Sequence, residues 1–368
     1  DIYKEEKSLL FVILGIWKHL EKRHKRKIGL LLSIIVCSGI SEVFTLSAVI
    51  PFLAFLTNPE KFWAITIVQK LSFSLGINKP IELLLPITLL FIFVSILSAI
   101  IRLLNIKFNA STAAYIGSYL STKIYQKSLW QPYEIHIKRN SSTILTTSTA
   151  LIDQTVGVIN LSLQLLTSIF IIISITIALI NINPIVTLSS LCIFCIAYGA
   201  LALTIRKRLN KNSNLIVKYR KSQIKTLQEG LAGIREVILE NLQSFYLKMY
   251  KKADYPRRLT EANSEFLTLF PRFTIEALGL TFIALFAYHL QRGETDTSSV
   301  IPLIGAFAFG AQRILPVLQM AYASWAGIRV NSSAAIAVIN LLEEESYDSN
   351  LLNFKDTDFR KDSNEFRQ

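Results

Sequence analysis

Charged residues avoid one long stretch of the chain, and this stretch predicts membrane-spanning helices. Residues 154–205 include no Asp, Glu, Lys or Arg, a run of 52 residues. About 20 apolar residues cross the hydrocarbon core of a bilayer, so the run is long enough for two spans. Asn181-Ile182-Asn183-Pro184 supplies turn-forming residues near its middle. We therefore expect a transmembrane hairpin here.

The same apolar pattern predicts six spans in total, each long enough to cross a bilayer with some tilt. They lie at residues 28–56, 81–108, 154–181, 185–205, 265–290 and 298–328. The chain is 51% hydrophobic and 18% charged, with a mean hydropathy of +0.42. This composition indicates a polytopic membrane protein rather than a soluble domain. We expect an all-α fold with six transmembrane helices.

Basic residues predict how the bundle faces, because Lys and Arg close to span ends stay on the cytoplasmic side. The segments 1–27, 102–153, 206–264 and 329–368 hold 33 of the 39 basic residues. Both termini are therefore predicted to lie in the cytoplasm, below a cytoplasmic (inner) membrane. Most of the basic residues behind the net charge of +13 lie in these segments, beside the span ends. We therefore favour membrane orientation and headgroup contact over nucleic-acid binding.

The first long cytoplasmic segment keeps a helical rhythm. Ile116, Leu120 and Ile124 follow one another at i, i+4 spacing and form an apolar stripe. Gln131-Pro132 should end this helix, because a proline cannot continue it. We expect a helical stalk that extends from the second span into the cytoplasm.

The second long cytoplasmic segment repeats this design. We expect its helix to be interrupted at Gly230 and Gly233 and a returning helix to cover residues 235–262. We therefore predict that the whole chain divides into three parts. They are an amphipathic N-terminal elbow helix with a basic segment at 1–27, a six-helix domain at 28–342, and a polar linker at 343–368.

Motifs for catalysis or metal binding are not found in the sequence. No G-x-x-x-x-G-K-[ST] loop is present to bind nucleotide phosphates, and the four His residues are scattered. Cys192 and Cys195 form a C-x-x-C pair, but it lies in an apolar span and is better explained by helix packing. We expect no catalytic residues and no metal or cofactor in this chain, which alone should not hydrolyse ATP.

Charged side chains inside the predicted spans are the candidate functional residues, since a charge at bilayer depth is costly unless it is paired or hydrated. They are Glu42, Arg102, Arg272, Glu276 and Arg313. Arg313 is the strongest candidate for contact with an anionic substrate, because a guanidinium matches phosphate geometry. Arg272 and Glu276 could instead pair along one helix face, and Glu42 could pair with an arginine.

Six spans, an elbow helix and two cytoplasmic stalks resemble the transmembrane domain of an ABC exporter half-transporter of the type IV fold. The resemblance implies a homodimer in which the two copies exchange their fourth and fifth spans. It also implies two short coupling helices that dock into a nucleotide-binding domain. By position, these would include two sets of residues: Gln131, Pro132, Tyr133 and Glu134, and Leu227, Gln228, Glu229 and Gly230.

Three spans carry strings similar to those of exporters that flip lipid-linked oligosaccharides or export polysaccharides. These strings are Ser41-Glu42-Val43-Phe44 with Val49-Ile50-Pro51-Phe52, Pro271-Arg272-Phe273 with Glu276-Ala277, and Arg313-Ile314-Leu315-Pro316. The resemblance implies that Arg272 and Arg313, and less directly Arg102, face the pyrophosphate of the lipid carrier.

ATP and Mg²⁺ are expected in the nucleotide-binding domain, which either follows in a longer polypeptide or is a separate subunit. ATP hydrolysis would therefore belong to the full transporter. Two alternatives stay open. One is an ABC exporter of a peptide, a toxin or another lipid, and the other is a secondary transporter or channel. The second is disfavoured because we find neither broken spans nor inverted repeats in the sequence.

Overall fold

The computed structural model of the protein describes residues 9–57, 60, 63, 68–69, 80–138, 141–180, 184–292 and 297–344. Regular secondary structure in this part is entirely helical. The helices are α1 (Leu9–Lys18), α2 (Lys22–Thr57), α3 (Leu84–Leu129), α4 (Tyr133–Lys138), α5 (Ser141–Thr146), α6 (Ile152–Ile180), α7 (Pro184–Ala232), α8 (Ile234–Leu239), α9 (Gln243–Arg292) and α10 (Thr297–Glu343). A 3₁₀ turn (Pro80–Leu83) precedes α3, and a π-helical stretch (Thr147–Leu151) joins α5 to α6.

Six of the described helices, namely α2, α3, α6, α7, α9 and α10, are 29 to 50 residues long and correspond to the six predicted spans. By length and composition, four described segments could cross a membrane: Lys22–Thr45, Leu84–Leu129, Ser142–Ile180 and Ile314–Glu343. The predicted spans at 185–205 and 265–290 lie in α7 and α9 and stay predictions. The prediction of an all-α membrane protein is confirmed.

The first apolar core joins several helices at the end of the bundle that is predicted to face the cytoplasm. Ile116, Leu120 and Ile124 of α3 are at most 1% exposed, which confirms the predicted stripe. They belong to one cluster with residues of α1, α2, α6 and α10. Gly117 lets α3 approach α6 closely, because a Cβ atom at this position would overlap the Val156 side chain.

The predicted elbow helix is present as α1, and it packs against α10. Val12 and Ile16 are buried in the first core. A Cβ atom at Gly15 would lie 2.8 Å from Ile339 Cδ1, so the glycine permits this close packing. Trp17 stays exposed, with Lys25 Nζ 5.4 Å from its ring centroid. A position at the headgroup level of the membrane stays a prediction for Trp17.

The second apolar core joins α7, α9 and α10 with the end of α6. Phe194 of α7, Ile275 of α9, and Ile314 and Leu318 of α10 are buried together. Both α7 and α9 therefore pack against α10 of their own chain. The exchange of these two helices between copies stays a prediction.

Polar pairs join α7 to α9 in the predicted second stalk. Arg220 of α7 donates to Glu261 of α9 at 2.8 Å, and Gln223 of α7 donates to Asp254 at the same distance. Arg257 extends the network along α9, with 2.7 Å to Glu261 and 3.3 Å to Asp254. The predicted second stalk is thus a helical hairpin with a charged seam.

Both stalks end at turns, but only the first ends where the sequence indicates. Helix α3 ends at Leu129, just before Gln131-Pro132. In the second stalk, α7 continues through Gly230 to Ala232, so the predicted interruption at Gly230 is wrong. The break falls at Gly233, α8 follows, and the returning helix begins at Gln243 after a turn in which Asn241 has φ of 55°.

Candidate functional site

Two of the charged residues predicted inside the spans bind each other. Glu42 of α2 is 3% exposed and forms an ion pair with Arg102 of α3. Ser98 donates to Ser41 at 3.3 Å one helical turn away, on the same side of α3. A buried carboxylate needs such a partner, because an unpaired charge in a low-dielectric interior is strongly unfavourable. The pair joins α2 to α3, and a role of either residue in substrate contact stays a prediction.

Arg272 is arranged differently from Arg102. Its exposed side chain lines a cavity of about 260 Å³ between α7, α9 and α10, together with Tyr198 and Gln319. Within the described part of the chain, no ion pair joins Arg272 to Glu276, although both lie on α9 with i, i+4 spacing. Its guanidinium carbon lies 5.7 Å from the Phe273 ring centroid. The predicted pairing along one helix face is therefore not formed.

A proline explains the hydrogen bonding beside this cavity. Pro271 lies inside α9 and has no N–H, so the carbonyl of Leu267 loses its usual helical donor. The Tyr322 hydroxyl of α10 donates to this carbonyl at 3.2 Å. A side chain of the neighbouring helix thus replaces the missing main-chain hydrogen bond, and it fixes α9 against α10 next to Arg272.

The hydroxyl of a second tyrosine in the cavity forms no such hydrogen bond within the described part of the chain. Tyr198 packs against Tyr322, with ring centroids 5.6 Å apart. Its hydroxyl is buried and has no hydrogen-bond partner among the described residues. Neither tyrosine was among the residues predicted from the sequence. One signal was available, because Tyr198 is the only tyrosine in the charge-free run 154–205.

The structure gives fewer details for the other two charged residues that are predicted inside the spans. Glu276 lies on α9 and is exposed, one turn beyond Arg272. Arg313 lies within α10, but its side chain is outside the part that the structure describes. Its predicted contact with an anionic substrate therefore stays a prediction.

The first predicted coupling segment forms a short helix at the end of the first stalk. Gln131 is buried and precedes α4, which begins at Tyr133 and includes Glu134 in its first turn. Tyr133 is 77% exposed and Ile137 is 68% exposed. They are four residues apart, so both lie on one face of α4. This face presents apolar area at the end of the first stalk.

The second predicted coupling segment forms the last turns of α7 instead of a helix of its own. Leu227, Gln228, Glu229 and Gly230 all belong to α7, and Glu229 pairs with Lys225 at 3.6 Å. The short helix that connects the two arms of the stalk is α8, a few residues later. Leu227 and Gly230 line a cavity of about 330 Å³ that α8 and the start of α9 complete.

Exposed apolar side chains surround this end of the second stalk. These side chains are Leu227, Leu231, Ile234, Ile238, Leu239, Leu242 and Phe245. Gly230 permits Tyr246 to pack closely against α7, since a Cβ atom there would lie 3.1 Å from the Tyr246 ring. The end of the second stalk is predicted to lie outside the membrane, where exposed apolar area of this kind marks an interaction site.

The architecture defines an all-helical membrane protein with two long stalks, each with an exposed apolar end. Residues 45–309 of the chain match the model of the ABC transporter transmembrane region. The chain belongs to this family and is the transmembrane domain of an ABC exporter, as the resemblance implied. The family also implies association with a nucleotide-binding domain. No curated protein matches the chain.

Proposed function

We propose that this domain moves a lipid with an anionic head, such as a lipid-linked oligosaccharide or a polysaccharide precursor, across the cytoplasmic membrane. Two copies would pair around a basic cavity, with ATP binding and hydrolysis in nucleotide-binding domains moving the stalks. Arg272 and Arg313 would hold the head while the lipid tail stays in the bilayer. ATP and Mg²⁺ would be bound only by the nucleotide-binding domains.

One observation carries this proposal: Arg272 lines a cavity between α7, α9 and α10 without a carboxylate partner among the described residues. The Glu42–Arg102 pair shows how this chain neutralises a charge that serves packing. A guanidinium held at predicted bilayer depth without such a partner suits an anionic ligand, because charge-assisted hydrogen bonds to phosphate would compensate for its desolvation. Gln319 adds an amide donor to the same cavity.

The stalk ends support the second half of the proposal. The exposed faces of α4 and of the α7–α8 turn are apolar, short and located where the chain reverses direction. These faces suit docking to the surface of a nucleotide-binding domain. The buried Gln131 and the partly buried Gly230 would act behind them as packing residues, and Tyr133 and Leu227 would make contact.

The Arg272→Ala variant tests the proposed contact with the anionic head. In the full transporter, reconstituted in liposomes, we expect transport of a fluorescent lipid-linked oligosaccharide with a pyrophosphate linkage to fall about tenfold or more, since a charged hydrogen bond contributes about 1.5–3 kcal/mol. Transport of the same lipid with a neutral linkage should change little. Arg208→Ala, which alters an exposed arginine on α7, serves as the matched control.

Equal transport of the charged lipid by Arg272→Ala and the unaltered protein would refute the assigned contact. Peptide transport that persists in liposomes without any lipid-linked sugar would favour the alternative exporter. Transport that continues without nucleotide would favour a secondary transporter.

The two cavity tyrosines offer a second test, with opposite expectations for two similar changes. Tyr322→Phe leaves the Leu267 carbonyl without a donor, so the free energy of unfolding should fall by about 1–3 kcal/mol. Tyr198→Phe removes a hydroxyl that has no partner in the described part, so stability should stay equal or rise. Thermal unfolding in detergent measures both. A larger loss for Tyr198→Phe would contradict the hydrogen bonding described above.

A further inference from the structure

The cytoplasmic end of α10 is held by side chains from the first stalk. Lys127 Nζ of α3 donates to the main-chain oxygen of Leu342 at 2.7 Å and to that of Glu344 at 2.6 Å. Gln131 Nε2 donates to the Glu344 carboxylate at 3.3 Å. We call these four residues the α10 latch. They connect parts of the chain that are more than 200 residues apart in sequence.

The chemistry of a helix end explains why a lysine is effective here. The last carbonyl groups of an α-helix have no intrahelical donor, and they carry the negative end of the helix dipole. Helix α10 ends at Glu343, so Lys127 donates to carbonyls on both sides of this end. An ammonium group satisfies them and also complements the dipole. The end of α10 is therefore fixed by a residue of another helix.

The elbow helix reaches the same place but adds less. Lys123 Nζ donates to the main-chain oxygen of His19 at 3.4 Å. His19 Nε2 lies 4.0 Å from Glu343, yet burial, and secondly the charge of Lys123, lower the pKa of His19, so this contact is not an ion pair at neutral pH. Lys18 approaches Glu343 at 3.9 Å, with both side chains largely exposed, which makes the pair weak.

We infer that Lys127 is a positioning residue that makes the first stalk and the cytoplasmic end of α10 move as one unit. Helix α4, with its exposed Tyr133 and Ile137, begins a few residues after Lys127. Helix α10 continues without interruption from the latch to Arg313. A displacement at α4 would reach the sixth span through the latch and not only along α3. The importance of this route for transport rests on the proposed function, whereas the latch itself does not.

Distances between spin labels on the two sides of the latch test this inference. The full chain would carry labels at the exposed positions Ile137 and Glu343, with the three native cysteines replaced by alanine. Lys127→Met keeps most of the side-chain volume but removes the donor, and Lys127→Arg keeps a cationic donor. Lys225→Met alters a lysine of the second stalk and is the matched control.

We expect one narrow distance distribution for the unaltered chain, for Lys127→Arg and for Lys225→Met, and a broader distribution shifted to longer distances for Lys127→Met. Amide protection in residues 340–343 should also fall about tenfold in Lys127→Met, since charged hydrogen bonds of about 1.5–3 kcal/mol are lost. A simple helix cap without a positioning role would lower this protection but leave the distance unchanged.

An unchanged distance distribution in Lys127→Met would therefore overturn the inference, whatever the amide protection. In the full transporter, Lys127→Met should also weaken the stimulation of ATP hydrolysis by the transported lipid, and Lys127→Arg should restore it. A transporter that moves no anionic lipid at all would refute the proposed function and leave the distance result standing.

Discussion

Both stalks extend helices from the bundle to a turn, but different kinds of side chain hold them in place. The first stalk, residues 107–153, is held by the buried stripe of Ile116, Leu120 and Ile124 and joins the main core. The second stalk, residues 206–264, is held by a seam of charged and amide side chains between α7 and α9. The first is thus part of the bundle along its length. The second joins the bundle only near its start, where Val217 packs into the first core and Ser213 accepts a hydrogen bond from the main chain of Ser333, and from Arg220 onward it is a hairpin with a polar seam. The free energy gained by burying the stripe scales with its apolar area, whereas the stability of the polar seam depends on salt and pH.

The largest effect should come from the apolar stripe. Leu120→Ala removes a fully buried side chain, and large-to-small changes of this kind cost about 2–5 kcal/mol. We expect a lower unfolding temperature in detergent and weaker protection across the first stalk. Leu231→Ala, at an exposed position of the second stalk, should change stability by no more than about 0.5 kcal/mol. Equal losses in the two variants would refute the contrast between the stalks.

A smaller effect is expected from the polar seam. Arg257→Met keeps the apolar stem but removes the bonds to Asp254 and Glu261, so we expect a loss of about 1–2 kcal/mol, confined to α7 and α9. Hydrogen exchange resolved by peptide would locate the change. Arg208→Met is the control, because this arginine is exposed. Reduced protection in the first stalk as well would show that the second stalk is not independent.

The smallest effect concerns pH. The hydrogen bond from Arg258, aided by one from Arg257, lowers the pKa of Asp254. A carboxyl whose folded pKa is lowered stabilises the fold above its unfolded pKa of about 3.9, and this contribution is lost as the pH falls through the folded value. Protection of residues 243–262, corrected for intrinsic exchange, should therefore decrease below about pH 4.

Asp254→Asn should remove this decrease, and the first stalk should show none in either protein. A decrease of the same size in the variant would assign the pH dependence to another group.

Much of the fold could be predicted from the sequence, because hydropathy and charge act locally. The charge-free run, the stripe of α3 and the stop at Gln131-Pro132 each depend on a few neighbouring residues. The break in the second stalk could not be placed. A glycine costs a helix only about 1 kcal/mol, and packing of Tyr246 against Gly230 lets α7 continue. Tertiary contact decided which of two glycines, three residues apart, ends the helix.

The candidate site was predictable as a set of residues but not as a set of partners. The sequence indicated that Glu42 could pair with an arginine, yet Arg102 is distant along the chain. For Arg272 and Glu276, the i, i+4 spacing indicated a pair that is not formed. Spacing shows which side chains can meet on one helix. It does not show which neighbouring helix offers a better arrangement, and the hydroxyl partner of Leu267 depends on such a neighbour.

The proline in α9 has a consequence for how this domain can change over evolution. Pro271 removes a main-chain donor, and the Tyr322 hydroxyl replaces it. An ordinary residue at 271 would restore the main-chain bond and make the tyrosine hydroxyl redundant. A phenylalanine at 322 would be harmful only while the proline remains. We therefore expect substitutions at the two positions to occur together, so that a lineage losing one is released from keeping the other.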